Sequence, residues 1–411
     1  MKHPFQTDKM LTTLFIILTA FFSFYATSCQ EAATGSDSVA QDKPFKNVSS
    51  SHLKSSSLGG NTMDAQIVDI DRDGDLDVIL AIEFGPNVIL INDGTGVLSD
   101  ESDARLPKTN HDSEDIAVGD FDGDGDLDVI FVSEDDQTNE FYRNKGNGFF
   151  ENVNGAIPVS GTSNAVETAD LNRDGHLDLI IGNAGQNVIL INDGTAVFVD
   201  QTKERLPVNT FTTQDVGLGD VDGDGDLDLL EGNETFNRLL INDGNGFFTD
   251  ETSSRLPVVN DQTREADFGD VDNDGDLDIL FANVDFGGFG NPQNRLLIND
   301  GKGFFSEITA QSLPFSDFRT VDADFVDINK DGHMDILSGN RFNGNEMMVL
   351  VNDGNLNFED RTTAFFPDLN IYPFDFQMAD FNGDGLDDIY LCGFRGADVL
   401  LFGQEHELVG K

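Results

Sequence analysis

Beginning at Asp69, the segment DIDRDGDLD places acidic side chains at positions 1, 3, 5 and 9 around a central Asp-Gly pair. The frame returns as DFDGDGDLD from Asp120, DLNRDGHLD from Asp170 and DVDGDGDLD from Asp220. It returns again as DVDNDGDLD from Asp270, DINKDGHMD from Asp327 and DFNGDGLDD from Asp380. Each copy offers side-chain oxygens at 1, 3, 5 and 9, a glycine at 6 that permits a tight turn, and a backbone carbonyl at 7. That is the chemistry of a hard cation, because calcium takes six to eight oxygens at about 2.3–2.6 Å.

The expected ligands are Asp69, Asp71, Asp73 and Asp77 in the first loop, and Asp120, Asp122, Asp124 and Asp128 in the second. The third offers Asp170, Asn172, Asp174 and Asp178, and the fourth Asp220, Asp222, Asp224 and Asp228. Asp270, Asp272, Asp274 and Asp278 form the fifth set, Asp327, Asn329, Asp331 and Asp335 the sixth, and Asp380, Asn382, Asp384 and Asp388 the seventh. These positions hold 25 carboxylates. Like charges crowded within a few ångströms repel unless a cation joins them, so about seven structural Ca2+ ions are expected as folding cofactors. Position 7 is His176, His333 or Leu386 in three copies, in keeping with a backbone contribution there, and both histidines are expected to face solvent.

The loops must be carried on something. An EF-hand would need a glutamate at position 12 and flanking helices. Position 12 is instead Leu80, Phe131, Ile181, Glu231, Phe281, Ser338 or Leu391, and the flanks LDVILA, LDLIIG and LDILFA read as strands. After a variable connection comes a second apolar strand ending in a tight turn, as in NVILINDGTG and NRLLINDGNG, and then a further strand opened by Leu98, Phe149, Phe198, Phe248, Phe305 or Phe358. Four short antiparallel strands repeated about every fifty residues predict an all-β, seven-bladed propeller. The seventh unit stops near residue 403 without a fourth strand, whereas PFKNVSS at 44–50 has the pattern of one. The N-terminal strand is therefore expected to close the last blade and pair its open edge.

This repeat resembles the FG-GAP or VCBS family, to which the heads of integrin alpha chains are related, over roughly residues 44 to 405. The seventh loop, with DGLDD in place of DGDLD, departs slightly and keeps Asp388. The resemblance implies a rigid, calcium-braced propeller used mostly for recognition, and it leaves the ligand open.

Composition narrows the partners. There are 24 Lys and Arg against 76 Asp and Glu, for a net charge of -52, which excludes nucleic acid and anionic lipid as electrostatic partners of the main body. Apolar residues at 38%, including 35 Phe, suffice for a large core. The two cysteines form no disulfide framework, and Cys392 in DDIYLCGF reads as a buried strand thiol. At the N-terminus, Lys2 and Lys9 precede an apolar run from Leu11 to Ala26, too short for a membrane span, that leads to Cys29. The stretch resembles a bacterial lipoprotein signal, which implies cleavage after residue 28 and lipidation of Cys29. The expected organisation is a signal at 1–28, lipidated Cys29 and tether at 29–43, a propeller at 44–405 and a tail at 406–411. The protein would then be exported and held by its lipid at the outer membrane or cell surface, a periplasmic orientation being the other arrangement.

In a four-strand blade the cation loops and Asn-Asp-Gly turns share one face, and the sequence-variable connections share the other. The variable face is expected to bind a partner. Asp285, Phe286, Phe289 and Asn291 in the longest insertion are candidates, together with Arg341 and Tyr372; Arg238, Arg295 and Arg395 also belong near this face. The leading expectation is a lipid-anchored, extracytoplasmic binding or adhesion module for a protein or glycan. The alternatives are a structural component of an envelope assembly, and a carbohydrate lyase or hydrolase. The last would need an acid–base pair among residues such as Glu83, Glu134, Asp135, Glu234 and Asp285, and the sequence shows no such pair, so no catalytic role is expected.

Overall fold

The computed structural model describes residues 43–55, 60–286, 291–341 and 347–406. Those residues form seven mostly antiparallel sheets, arranged as the blades of a propeller. Blade 1 contains Thr62–Val68, Asp77–Ile82, Val88–Asn92 and Leu98–Asp100, and every later blade repeats this order. The first strands pack one against the next around the axis, and that of blade 7, Pro373–Ala379, packs against that of blade 1. The ring is closed at a seam: Phe45–Asn47 pairs antiparallel with Val399–Gly403, Phe45 facing Gly403 and Asn47 facing Leu401. The chain's two ends thus complete blade 7, as the missing fourth strand requires.

The second strand of each blade is mostly apolar after its leading aspartate and almost wholly buried, as in Asp77–Ile82 and Asp388–Gly393. It lies between neighbouring blades, so both faces of the sheet meet apolar surface. Seven hydrophobic clusters result, one per blade boundary. Between blades 1 and 2 the cluster includes Ile79, Ile89, Phe131 and Tyr142; at the closing boundary it includes Ala65, Leu80, Tyr390 and Cys392. Cys392 is buried, as its strand context implies.

Two features go beyond the four-strand expectation. A single helical turn follows the fourth strand in most blades, for example Ser102–Arg105 and Thr252–Arg255, where Ser102 and Thr252 hydroxyls accept the backbone N–H groups of Ile89 and Leu239. These four-residue turns have no amphipathic period and so leave no helical signal. Leu53–Lys54 also adds a short parallel strand outside Leu98–Asp100, making blade 1 five-stranded.

Candidate functional site

Each acidic loop joins the first strand of its blade to the second. In the first loop Asp69 accepts the N–H groups of Asp73 and Gly74 at 3.1 Å, and Asp73 accepts that of Asp75 at 3.0 Å. Gly74 has φ 98°, the conformation that makes glycine necessary at position 6. Ligand-type oxygens converge in Asp69, Asp71 and Asp77, in Asp120, Asp122 and Asp124, and in Asp220, Asp222 and Asp228, all lying within 4.8 Å of one another in each set.

Position 9 has a second duty that its spacing did not reveal. Asp77 accepts Asn92 N–H at 2.9 Å and Ile70 N–H at 3.2 Å, tying the loop to the third strand. Asp128, Asp178, Asp228, Asp278 and Asp388 repeat this double contact. Burial, followed by the charges of Asp71 and Asp73, pushes the Asp77 carboxyl up to about 7. Asp128, Asp228, Asp278 and Asp335 rise to the same level for the same kind of reason. A cation would relieve that repulsion. Asp71 Oδ1, Asp222 Oδ1 and Asp335 Oδ2 are buried and lack a hydrogen-bond partner. All-oxygen donors, convergent geometry and orphaned buried oxygens fit a hard divalent ion.

The Asn-Asp-Gly turns share the loop face, and their asparagines do more than turn the chain. Asn192 Nδ2 donates to Leu177 O in its own blade and to Phe121 O in the preceding one, while its Oδ1 accepts Gly194 N–H. Asn92 crosses the seam in the same way, reaching Phe381 O at 2.8 Å. Asn144, Asn299 and Asn352 make the equivalent contacts to Ile70, Val221 and Val271 carbonyls. Consecutive acidic loops are stapled together, and Arg72 to Asp126 at 2.9 Å and Lys330 to Asp387 at 3.3 Å add outer links. His176 and His333 lie at this rim, exposed and half-buried, with His333 beside Asn273.

On the opposite face the candidate residues separate. Phe286 is 42% exposed, its N–H donating to Gln262, with the Arg264 and Arg319 guanidiniums over its ring at 5.1 and 5.6 Å. Arg341 lies 5.3 Å from the Phe374 ring and 4.2 Å from that of Phe394. Tyr372 is 54% exposed, and its carbonyl accepts Phe394 N–H. Asp285 is partly buried beside Phe286; Asn291 is exposed and accepts Gln293 N–H. Phe289 and Cys29 lie outside the described residues. Arg238 and Arg295 are not ligand-facing: both are buried, paired with Glu231 and Asp250, and with Asp261 and Glu307.

The carboxylates considered for a central opening also divide. Glu83 converges with Asp112 and Glu114, and Glu134 and Asp135 converge with Asp112. Glu234 sits 3.7 Å from Arg264. Burial and the neighbouring Glu134 and Asp112 push the Glu114 carboxyl up to about 9.

The axis itself carries an acidic channel that the motif reading missed. Asp64, Asp115, Asp215, Glu265, Asp322 and Asp375 line a cavity of about 320 Å³. A bulge in each first strand sits at these positions, as between Ser113 and Asp115. The signal was present: five residues before each loop the chain is acidic in six of the seven copies, Ala165 being the exception. Asp375 accepts Ala65 N–H at 3.0 Å, Asp115 that of Val166 at 2.6 Å, Asp215 that of Ala266 at 3.0 Å and Asp322 that of Phe376 at 2.9 Å. Each bond reaches the next blade, so these carboxylates act as clamps. Burial pushes Asp375 up to about 7 and Asp115 to about 6.

Comparison with known proteins agrees with this architecture. The family described as FG-GAP-like repeat matches residues 69–131, 120–181, 170–231, 220–281, 283–338 and 327–391. Two solved structures of BBS1N in complex with ARL6DN, soaked with lead and with mercury, are similar in fold. The lead-soaked one has a TM-score of 0.55 at 10% identity, covering 90% of this chain and 99% of that one. The mercury-soaked one has 0.53 at 10% identity, covering 88% and 97%. A lectin of Agrocybe aegerita that recognises non-reducing terminal N-acetylglucosamine matches at 20% identity and TM-score 0.46, over 73% of this chain and 79% of that one. No curated protein matches the sequence.

Proposed function

The chain belongs to the FG-GAP-like repeat family, and on that premise we propose that it is a calcium-braced binding module that recognises a protein or glycan through the face opposite its acidic loops. The observation that carries this reading is the division of labour between the two faces. On one, carboxylates, asparagines and arginines are committed to holding loops and blades together. On the other, Phe84, Phe236, Phe286, Phe315 and Tyr372 are large and exposed, with Arg264 and Arg319 over Phe286, whereas the exposed Phe149, Phe247 and Phe304 of the loop face lie under arginines that staple its turns. Exposed aromatics with arginine are the composition of binding hot spots.

Asp, Asn and backbone oxygens of about seven loops would hold calcium, with Asp71 Oδ1 and Asp222 Oδ1 as ready donors. When bound, calcium would neutralise the carboxylates it joins and lock each loop. The chain's own contribution is positioning: position-9 aspartates anchor loops to third strands, and turn asparagines fix each loop against its neighbour. Such a base keeps the opposite rim rigid and lowers the entropy cost of binding there.

Export and lipidation at Cys29 complete the proposal, placing the propeller on a tether outside the cytoplasm. No catalytic role is assigned. The test is a binding screen of the calcium-loaded full chain against glycans and envelope or extracellular proteins. Saturable binding weakened at least tenfold by Phe286→Ala or Tyr372→Ala supports the reading. Binding unaffected by either change, and by Phe84→Ala, refutes recognition through this face.

A further inference from the structure

Arginines are distributed unevenly among the seven acidic loops. Position 3 is an aspartate in four of them, Asp71, Asp122, Asp222 and Asp272, and an asparagine in the other three. Arg105 lies 3.1 Å from Asp71, Arg143 3.0 Å from Asp122 and Arg255 3.2 Å from Asp222. Among the described residues Asp272 has no such partner: Asp222 feels Arg255 beside Asp224 and Asp220, whereas the charges acting on Asp272 are those of Asp274 and Asp270. The helical turn supplies the difference, since Thr252–Arg255 of blade 4 ends in arginine and Thr309–Ser312 of blade 5 ends in serine.

A second guanidinium reaches some loops from the loop before. Arg72, at position 4 of the first loop, lies 2.9 Å from Asp126 at position 7 of the second, and Arg173 of the third pairs with Asp226 of the fourth. Position 4 of the fourth loop is Gly223, so Asp276 of the fifth receives no charge from it. The fifth loop is otherwise wound like the first. Asp270 accepts the N–H groups of Asp274 and Gly275 at 3.0 Å, Gly275 has φ 97°, and Asp278 accepts Asn299 N–H at 2.9 Å. Stapling of turns does not explain the pattern either. Arg205 donates to Asn245 O as Arg105 does to Asn147 O and Arg255 to Lys302 O, although position 3 of its blade is the neutral Asn172.

At positions 1, 3, 5 and 9 the first, second and fourth loops hold four carboxylates, one of them shared with a guanidinium, and the third, sixth and seventh hold three. The fifth holds four with none shared. Resting on the calcium-braced module proposed above, we propose that the fifth loop is the tightest calcium site of the ring, and that Arg105, Arg143 and Arg255 hold the first, second and fourth loops near the affinity of their asparagine counterparts. Ligand charge tunes the affinity of such oxygen cages. An arginine on one carboxylate oxygen leaves two cations sharing one anion, and a unit charge a few ångströms from a divalent ion outweighs the ordering of one short side chain. As calcium falls, blade 5 keeps its brace longest. That blade carries Phe286 and the longest connection of the variable face, so its part of the recognition surface stays braced after the others loosen.

The test is a back-titration of the calcium-loaded full chain with a chromophoric chelator, which counts the equivalents retained as free calcium is lowered. The expected result is a single equivalent retained to a free calcium concentration about tenfold below that which empties the rest. Asp272→Asn should retain none, Arg255→Gln or Arg143→Gln should retain two, and Arg255→Lys, which keeps the charge, should retain one. A cooperative melting transition of each calcium-loaded variant establishes that it is folded, and Arg143→Gln, at a side chain 34% exposed, serves should Arg255→Gln fail to fold. A tight equivalent that survives Asp272→Asn overturns the proposal, as does a tight class unchanged or reduced by Arg255→Gln and Arg143→Gln. Release of all the calcium as one class overturns this inference while leaving the calcium brace standing. A chain that holds no calcium and takes up none on addition removes both.

Discussion

Arg105 holds Asp71 by one oxygen and leaves the other buried without a partner: its guanidinium lies 3.1 Å from Asp71 Oδ2, while Asp71 Oδ1 makes no hydrogen bond. Arg255 holds Asp222 in the same way at 3.2 Å. A position-3 carboxylate is thus oriented by an arginine from the helical turn of its own blade. That arginine also donates to the next blade's turn, Arg105 to Asn147 O at 2.6 Å. The acidic loop and the blade boundary are one structural unit.

Replacing Arg105 by Gln should therefore destabilise the protein although its partners lie near the surface. The loss comprises an ion pair, a charged hydrogen bond and the Phe149 ring contact, together about 1–2 kcal/mol. Urea unfolding checks this; a midpoint equal to that of the parent would show that the staple contributes nothing.

Calcium removal should act on every blade. A single site loaded at one hundred times its Kd contributes about 2.7 kcal/mol, so chelation should lower the melting temperature by several degrees, with recovery on adding calcium. Asp71→Asn and Asp222→Asn should shrink that response. Melting indifferent to chelator would remove the metal from the account.

The turn asparagines should be among the most sensitive positions outside the core. Asn192→Ala leaves the Leu177 carbonyl and the Gly194 N–H without their Asn192 partner and the Phe121 carbonyl with Ala196 N–H alone, a loss of about 1–3 kcal/mol. Asn355→Ala, in an exposed turn, should stay within about 0.5 kcal/mol. Equilibrium unfolding of the two variants compares them directly.

The axial clamp predicts a pH dependence opposite to that of an ordinary ion pair. Asp375 stands at about 7 in the folded protein against about 3.9 unfolded, because burial penalises its charged form. The folded state binds the proton more tightly, so this group's contribution is fully present below about pH 4 and is lost as pH rises through about 7. Relative to the parent, Asp375→Asn should gain stability between pH 4.5 and 8, on the order of 1–2 kcal/mol. The difference between the two melting curves cancels the acidic loops common to both. A gap that stays constant with pH would show that Asp375 does not titrate in this window.

The seam should be the weakest point of the ring. Phe45 is buried against Phe366 with ring centroids 5.4 Å apart, and Phe45→Ala should cost about 3 kcal/mol. Hydrogen exchange should rise first at Leu401–Gly403, the strand it pairs, before other third strands. Uniform acceleration around the ring would contradict this.

The sequence by itself determined the repeat, the acidic pattern of the loops and the closure. Acidic positions 1, 3, 5 and 9 around a glycine can be read locally because they come from one short segment, and the absent fourth strand of the last unit announces the seam at Phe45–Asn47. Tertiary structure decided what each residue serves. Position-9 aspartates also bind third-strand backbone, and turn asparagines reach carbonyls of the preceding blade, partners some seventy residues away in the case of Asn192 and Phe121. The acidic channel stayed hidden because its carboxylates come from different blades and become a cluster only when seven first strands meet at the axis. The same geometry sank Arg238 and Arg295 in ion pairs and set Arg264 beside Glu234 and over Phe286. Residue type gave their charge, and only the bulged strands and the closing of the ring set what each of them contacts.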